Sequence, residues 1–174
     1  MFEYQLLIPK ERVGALIGDK GKMKRLIERK TSTSLLIKHE EVTIKGDDSY
    51  KAWICSQVVK AVGRGFNPKE ALKLIKEGYV FELINIMDYA RNQKDKFRLR
   101  GRVIGENGKT KRGIEGHTGC KISVFGKTIG IIGPATMVGD AIEAVKMLLE
   151  GAQTNSVHNF LEKKAKMRVK KELI

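Results

Sequence analysis

Val103-Ile-Gly-Glu-Asn-Gly-Lys-Thr-Lys-Arg112 decides how this chain is read. Two glycines three apart, Gly105 and Gly108, stand between an apolar dipeptide and a basic run. The same pattern occurs earlier as Leu16-Ile-Gly-Asp-Lys-Gly-Lys-Met-Lys-Arg25. Sliding the chain on itself by 87 residues superposes the two, and 9 of the 21 positions from Ile17 to Ile37 then match their partners. The ungapped register continues outward: Ile27 meets Ile114, Glu28 meets Glu115, Thr31 meets Thr118, Ile44 meets Ile131 and Gly46 meets Gly133. The period is too long for a solenoid unit, so the chain reads as two copies of one small domain.

Charge points to the class of partner. The 174 residues carry a net charge of +14, with a pI near 9.8. Residues 1–90 hold 16 Lys+Arg against 12 Asp+Glu, and residues 91–174 hold 18 against 8. A heat-adapted surface rich in Lys and Glu accounts for many charges but not for this imbalance. A polyanion does, with nucleic acid the usual one and the second half its stronger attractor. No run of about 18 apolar residues spans a membrane, and the N-terminus does not read as a signal peptide. Cys55 and Cys120 stand alone, which suits a reduced, cytoplasmic setting and buried packing roles. His39, His117 and His158 are scattered. No catalytic or metal-binding constellation forms, and no cofactor is expected.

The elements follow from periodicity. Phe2–Ile8 reads as a strand stopped by Pro9. Glu11–Ile17 and Lys22–Lys30 read as helices on either side of the first glycine pair. Ser34–Lys38 and Glu41–Lys45 read as strands turning near His39-Glu40. Asp48 or Ser49 caps a helix over Tyr50–Gly63, with Trp53, Ile54, Val58, Val59 and Val62 inward. Asn67-Pro68 starts a linker helix that Gly78 ends. The second copy repeats the order: a strand over Phe81–Asp88, a polar loop over Tyr89–Lys96 and a helix over Phe97–Ile104. The helix Lys109–His117, strands Lys121–Phe125 and Lys127–Ile132, and a closing helix Thr136–Leu149 complete it. For the basic tail Val157–Ile174, a docked helix and a frayed end both fit. The expected fold class is α+β, each copy a three-stranded antiparallel sheet with helices on one face. The expected boundaries are 1–78 for the first domain with its linker helix, 79–151 for the second, and 152–174 for the tail.

A glycine-flanked turn between two helices lets another backbone come close. It also presents the unpaired N–H groups that open the second helix, where phosphate is favoured. Lys22, Lys24 and Arg25 in the first copy, and Lys109, Lys111 and Arg112 in the second, oppose that helix's dipole. They make sense if a polyanion lies across the loop.

Ile17-Gly-Asp-Lys-Gly-Lys and Ile104-Gly-Glu-Asn-Gly-Lys resemble the GxxG signature of KH domains, and Ile114-Glu-Gly-His-Thr-Gly-Cys-Lys-Ile122 resembles the stretch that follows it. The element order is similar to the type I topology. The resemblance implies that each loop clamps the backbone of about four unpaired nucleotides. The second groove would then hold the RNA backbone with Gly105, Glu106, Asn107, Gly108 and Lys109. Arg102, Lys111 and Arg112 would screen phosphates, and Val103, Ile104, Ile114 and Ile122 would form an apolar floor, with Lys121 completing the set. In the first copy the corresponding residues are Gly18, Asp19, Lys20, Gly21, Lys22, Lys24 and Arg25, with Leu16, Ile17 and Leu35 as floor. Each loop opens with an acid, a departure that weighs more against the less basic first copy.

With the Gly65-Phe-Asn-Pro68 linker and the closing Val157-His-Asn-Phe-Leu-Glu162, nearly the whole chain resembles the archaeal partner-of-Nob-one family. The resemblance implies a non-enzymatic assembly factor of the small ribosomal subunit. It would bind single-stranded RNA near the 3′ end of the small-subunit RNA, within the pre-ribosomal particle, and associate with the endonuclease that trims it. A monomer is expected. An accessory KH subunit of an RNA-degrading complex is the alternative, although such subunits carry an extra β-barrel for which the chain has no room. A P-loop enzyme would need a glycine at position 103 and a strand before the loop. A duplex-DNA helix–turn–helix fits poorly with a three-stranded sheet in each copy.

Overall fold

The computed structural model describes residues 1–174. Its elements run β1 (Phe2–Leu7), α1 (Lys10–Ile17), α2 (Lys22–Thr31), β2 (Ser34–Lys38), β3 (Glu41–Gly46), α3 (Ser49–Gly63) and α4 (Pro68–Ala71). The second series is β4 (Tyr79–Asn85), α5 (Gln93–Ile104), α6 (Lys109–Thr118), β5 (Lys121–Phe125), β6 (Thr128–Pro134), α7 (Ala135–Leu149) and α8 (Thr154–Glu172). The chain forms two compact units, Met1–Phe81 and Glu82–Ile174. There are two three-stranded sheets, each with its third strand in the middle, in the orders β1-β3-β2 and β4-β6-β5.

In the first unit β3 pairs antiparallel with both neighbours, and Ile44 lies between Tyr4 and Leu35. Strand alternation then sends Val42, Ile44 and Leu35 to one face, where they are buried with Leu16, Ile27, Val58, Val59 and Val62 of the helices. In the second unit Ile122 opposes Ile131, and both are buried with Val103, Ile114, Ala141, Val145 and Leu148. Burying a side chain of this size contributes about 1.5–3 kcal/mol.

Several repeated residues serve this packing. The Glu28 carboxylate accepts the Leu35 N–H at 2.8 Å, and Glu115 accepts the Ile122 N–H at 2.9 Å. The hydroxyls of Thr31 and Thr118 each donate, at 2.8 Å, to the carbonyl four residues back, Ile27 and Ile114. The glutamates tie the second helix of each unit to the strand that follows, and the threonines bond within that helix's last turn.

The elements differ from the sequence reading chiefly in three places, and the tail takes the first of its two readings. The first strand of the second copy is Tyr79–Asn85 rather than Phe81–Asp88, because the Asn85 side chain accepts the Met87 N–H and turns the chain. The expected loop Tyr89–Lys96 is partly helix. Asn92 caps α5 by accepting the Asp95 N–H, and Asp95 accepts the Arg91 N–H in return. Trp53 points outward, 46% exposed beside Tyr50, because the buried stripe of α3 is Ala52, Cys55, Val59 and Val62. The tail is the long helix α8, docked by buried Val157 and Leu161 and by an Arg168–Asp140 ion pair. No helix is long and apolar enough to cross a membrane.

Candidate nucleic-acid interface

The two glycine loops have one backbone. Gly18 and Gly105 have φ/ψ of 72/178° and 74/174°; Lys20 and Asn107, 48/33° and 51/28°; Gly21 and Gly108, 75/12° and 74/13°. Three of the four residues in each loop therefore have positive φ, a region L side chains seldom adopt. Asn107 is a residue type that tolerates it; Lys20 enters it without that help.

Each glycine has its own reason. A Cβ on Gly18 would lie 2.6 Å from the Met23 Cβ, and one on Gly105 would lie 2.1 Å from the Thr110 hydroxyl oxygen. The first glycine thus lets the loop close on the helix behind it. The second lies under an arginine: a Cβ on Gly21 would lie 2.9 Å from Arg25 Nη1, and one on Gly108 would lie 3.0 Å from Arg112 Nη1. Arg25 and Arg112, both exposed, are folded back over the loop. The loop tips are exposed as well: Asp19 and Lys20 in one unit, Glu106 and Asn107 in the other. In the first unit the acid is partly offset by Lys22, whose ammonium lies 3.5 Å from Asp19. Thr110, buried under Gly105, is not placed to bind a metal–phosphate group, and the loop follows a helix; neither suits a P-loop.

The remaining expected cations divide. Lys24 and Lys111 each lie 3.7 Å from the glutamate one turn on, Glu28 and Glu115, the carboxylates that hold the following strands. They brace the fold more than they face a ligand. Arg102 is drawn inward: its Nε donates to the Leu148 carbonyl at 2.9 Å and its Nη2 to the Ala152 carbonyl, closing the C-terminus of α7. Arg12 does the same in the first unit, at 2.8 Å to Val62 and 2.7 Å to Phe66. Much of the expected floor is core. Val103 and Ile114 are 0% exposed and Ile122 3%, as are Leu16 at 0% and Leu35 at 2%, so they belong to the core. Ile104 and Ile17 retain partial exposure. Lys121, half-buried, begins β5.

An open groove beside the first loop shows which residues do face out. It is lined by Lys10, Val13, Gly14 and Ile17 of α1 and by His39 and Glu40 of the β2–β3 turn. The repeat register carries these positions to Phe97, Arg100, Gly101, Ile104, Gly126 and Lys127. Phe97 is 64% exposed, with Lys96 Nζ 5.2 Å and Arg100 Cζ 6.0 Å from its ring centre. An exposed aromatic flanked by two cations is a surface for a nucleobase and its phosphate. Sequence reasoning missed Phe97, and the signal was available: an aromatic in a basic run, four residues after Gln93, where the Asn92 cap begins the helix.

Comparison with known proteins agrees with this geometry. Residues 80–166 match the second KH domain of the PNO1 type, a eukaryotic-type (type I) KH domain, and residues 3–60 match the KH domain. The chain is 47% identical over 163 residues to a KH domain-containing protein of Methanocaldococcus jannaschii, covering 91% of this chain and 72% of the relative. It is 27% identical over 162 residues to the pre-rRNA-processing protein PNO1 of Chaetomium thermophilum, covering 88% of this chain but only 62% of that longer protein. The crystal structure of Dim2p from Pyrococcus horikoshii has a TM-score of 0.88 at 37% identity, covering 94% of this chain and 99% of that one. The same Pyrococcus protein has been solved in a complex with a/eIF2alpha and rRNA, with a TM-score of 0.88 over 95% of this chain and 94% of that one. Two type I KH folds in tandem, with GxxG loops of one geometry, place this chain in the PNO1/Dim2 family of KH-domain proteins.

Proposed function

We propose that this protein binds single-stranded ribosomal RNA of the small subunit and serves in ribosome assembly rather than as a catalyst. The observation that carries the reading is the second loop, Gly105–Gly108, with its tip Glu106-Asn107 exposed, Arg112 folded over it and an exposed Phe97 at the position that the repeat register matches to the first unit's groove. Its rRNA-bound relative from Pyrococcus, 37% identical, supports the choice of RNA. The small-subunit 3′ region is the proposed target, and the rRNA-trimming endonuclease and the pre-ribosomal particle are the proposed company.

Phosphates would lie against the N–H groups opening α6 and against Lys109 and Arg112. Bases would enter the groove over Ile104, Gly101 and Phe97. The first unit, with Lys10 in place of Phe97 and an Asp19–Lys22 pair at its loop, is the weaker binder.

Fluorescence anisotropy tests this with three probes: a single strand from the small-subunit RNA 3′ end, a scrambled strand and a duplex, each at two salt concentrations. The expected order is target strand over scrambled strand over duplex, with affinity falling steeply as salt rises. Equal binding to all three would mean a non-specific basic protein.

A further inference from the structure

A cavity of about 680 Å³ opens on the far side of the second loop, between the end of α5, the start of α6 and the first turns of α8. Its size is that of a small-ligand site, about 300–1,000 Å³. Its polar walls come from all three elements: Arg102 from α5, Glu106 and Lys109 from the loop and α6, and Asn155 and His158 from α8, with Gln153 just before that helix.

Their chemistry is mixed. Lys109 and Arg102 supply positive charge; the two carbonyl bonds of Arg102 use Nε and Nη2, leaving Nη1 outside both. Glu106 accepts only, and the Gln153 and Asn155 amides both donate and accept. A bare anion would not want Glu106 beside it. A nucleotide would, because its hydroxyls and amino groups donate where its phosphate accepts. His158 is held in place: a Cβ on Gly113 would lie 2.4 Å from its ring, and the His117 ring is 5.5 Å away.

By the repeat register, the cavity adjoins the second unit's counterpart of the first unit's groove. Gly101 lines the cavity, and its counterpart Gly14 lines the first unit's groove. A Cβ on Gly101 would meet nothing within 4 Å. A strand lying in the groove can therefore cross α5 at Gly101. In the first unit the chain leaves the third helix by the same turns, with Gly65 bonded to Val62 and Phe66 to Ala61 as Gly151 is to Leu148 and Ala152 to Met147. There, however, buried Phe66 stands where the second unit has Ala152, and Lys69 and Leu72 stand in the places of Asn155 and His158.

We infer that this cavity takes one further nucleotide, next to the four held by the loop and groove, with its phosphate against Lys109 and Arg102 and its ribose and base edges against Glu106, Asn155 and His158. The inference rests on the RNA-binding reading above and extends it.

The test measures competition by mixed-sequence single-stranded RNA pools of four, five and six nucleotides. It uses the full-length protein and a Gln153→Ala/Asn155→Ala variant, both changes being at exposed positions. His158→Gln is a second variant, and circular dichroism confirms that α8 stays folded. In wild type, one added nucleotide should improve binding about 10-fold, the order of a nucleotide's own contacts, against the factor of about two that an extra register alone gives. The variants should bind the four-nucleotide pool as wild type does and lose the gain. No gain on lengthening, or a gain undiminished in both variants, overturns the inference while leaving the RNA-binding reading intact. Failure of wild type to bind any pool overturns both.

Discussion

Thr110 closes on Gly105 so tightly that a Cβ built on the glycine would lie 2.1 Å from the threonine hydroxyl oxygen, 2.6 Å from its Cβ and 2.8 Å from its backbone nitrogen. Because the last contact is with backbone, trimming the threonine cannot relieve it. Gly105→Ala must also hold a φ of 74°. The substitution should cost about 2–3 kcal/mol, read as a lower urea midpoint, and Thr110→Ala should restore only part of it. An unchanged midpoint would show that the loop can relax away from α6.

Negative charge at the loop tip separates binding from folding. Glu106 and Asn107 are exposed, and aspartate tolerates the left-handed backbone of position 107. The Glu106→Asp/Asn107→Asp variant should keep its melting temperature and lose RNA affinity by about 10-fold or more at about 0.1 M salt. Lys20→Asp, the matching change in the first unit, should cost less. Equal losses from the two would make both loops parts of one RNA site.

The tandem architecture was legible because the 87-residue register carried glycines whose backbone allows little else. The register did not say which shared residues serve the fold and which the ligand. Glu28 and Glu115 hold strands, and Lys24 and Lys111 pair with them, so part of the basic run is structural. Arg102 looked like a phosphate ligand because nothing in one dimension shows the carbonyls of Leu148 and Ala152, 46 and 50 residues away. Val103 and Ile114 were legible as apolar but not as fully enclosed. Phe97 was hidden by placing the helix start at it, when Asn92 and Asp95 start the helix at Gln93.

Phe97 and Gly101 test the groove directly. Phe97→Ala removes an exposed ring, so stability should hold while RNA affinity drops by about 1–3 kcal/mol, the range for a base–aromatic stack. Gly101→Leu would place a side chain in open space at the edge of the groove. It should block binding without unfolding the unit, since leucine favours the helix more than glycine does. Wild-type affinity in both variants would remove the groove from the binding surface.

Arg102 should behave first as a structural residue, since carbonyls hold its Nε and Nη2. Arg102→Lys keeps the charge but cannot reproduce two directed bonds to separate carbonyls. It should lower stability by about 1.5–3 kcal/mol, the range for bonds from a charged donor. The change in the salt dependence of RNA binding should be smaller than that caused by Arg112→Ala. If Arg102→Lys instead leaves stability unaltered and flattens the salt dependence, the guanidinium works chiefly on phosphate.

Burial pushes the thiols of Cys55 and Cys120 above the ordinary value of 9.0, against the smaller opposing effect of the Thr33 and Thr31 hydroxyls at Cys55 and of Thr118 at Cys120. Above about pH 9 the unfolded chain ionises its thiols while the folded chain keeps them protonated, so the unfolded state binds fewer protons and stability falls as pH rises. Below that pH the term is constant. Melting temperatures from pH 7 to pH 10.5 should therefore decline more steeply for wild type than for a Cys55→Ala/Cys120→Ala variant, although the variant starts lower because each substitution leaves a small void. Lysine and tyrosine titration is common to both proteins and cancels in the difference. Parallel curves would mean that the thiolates are accommodated without unfolding, and rapid labelling of both thiols in the native protein at pH 8 would show it independently.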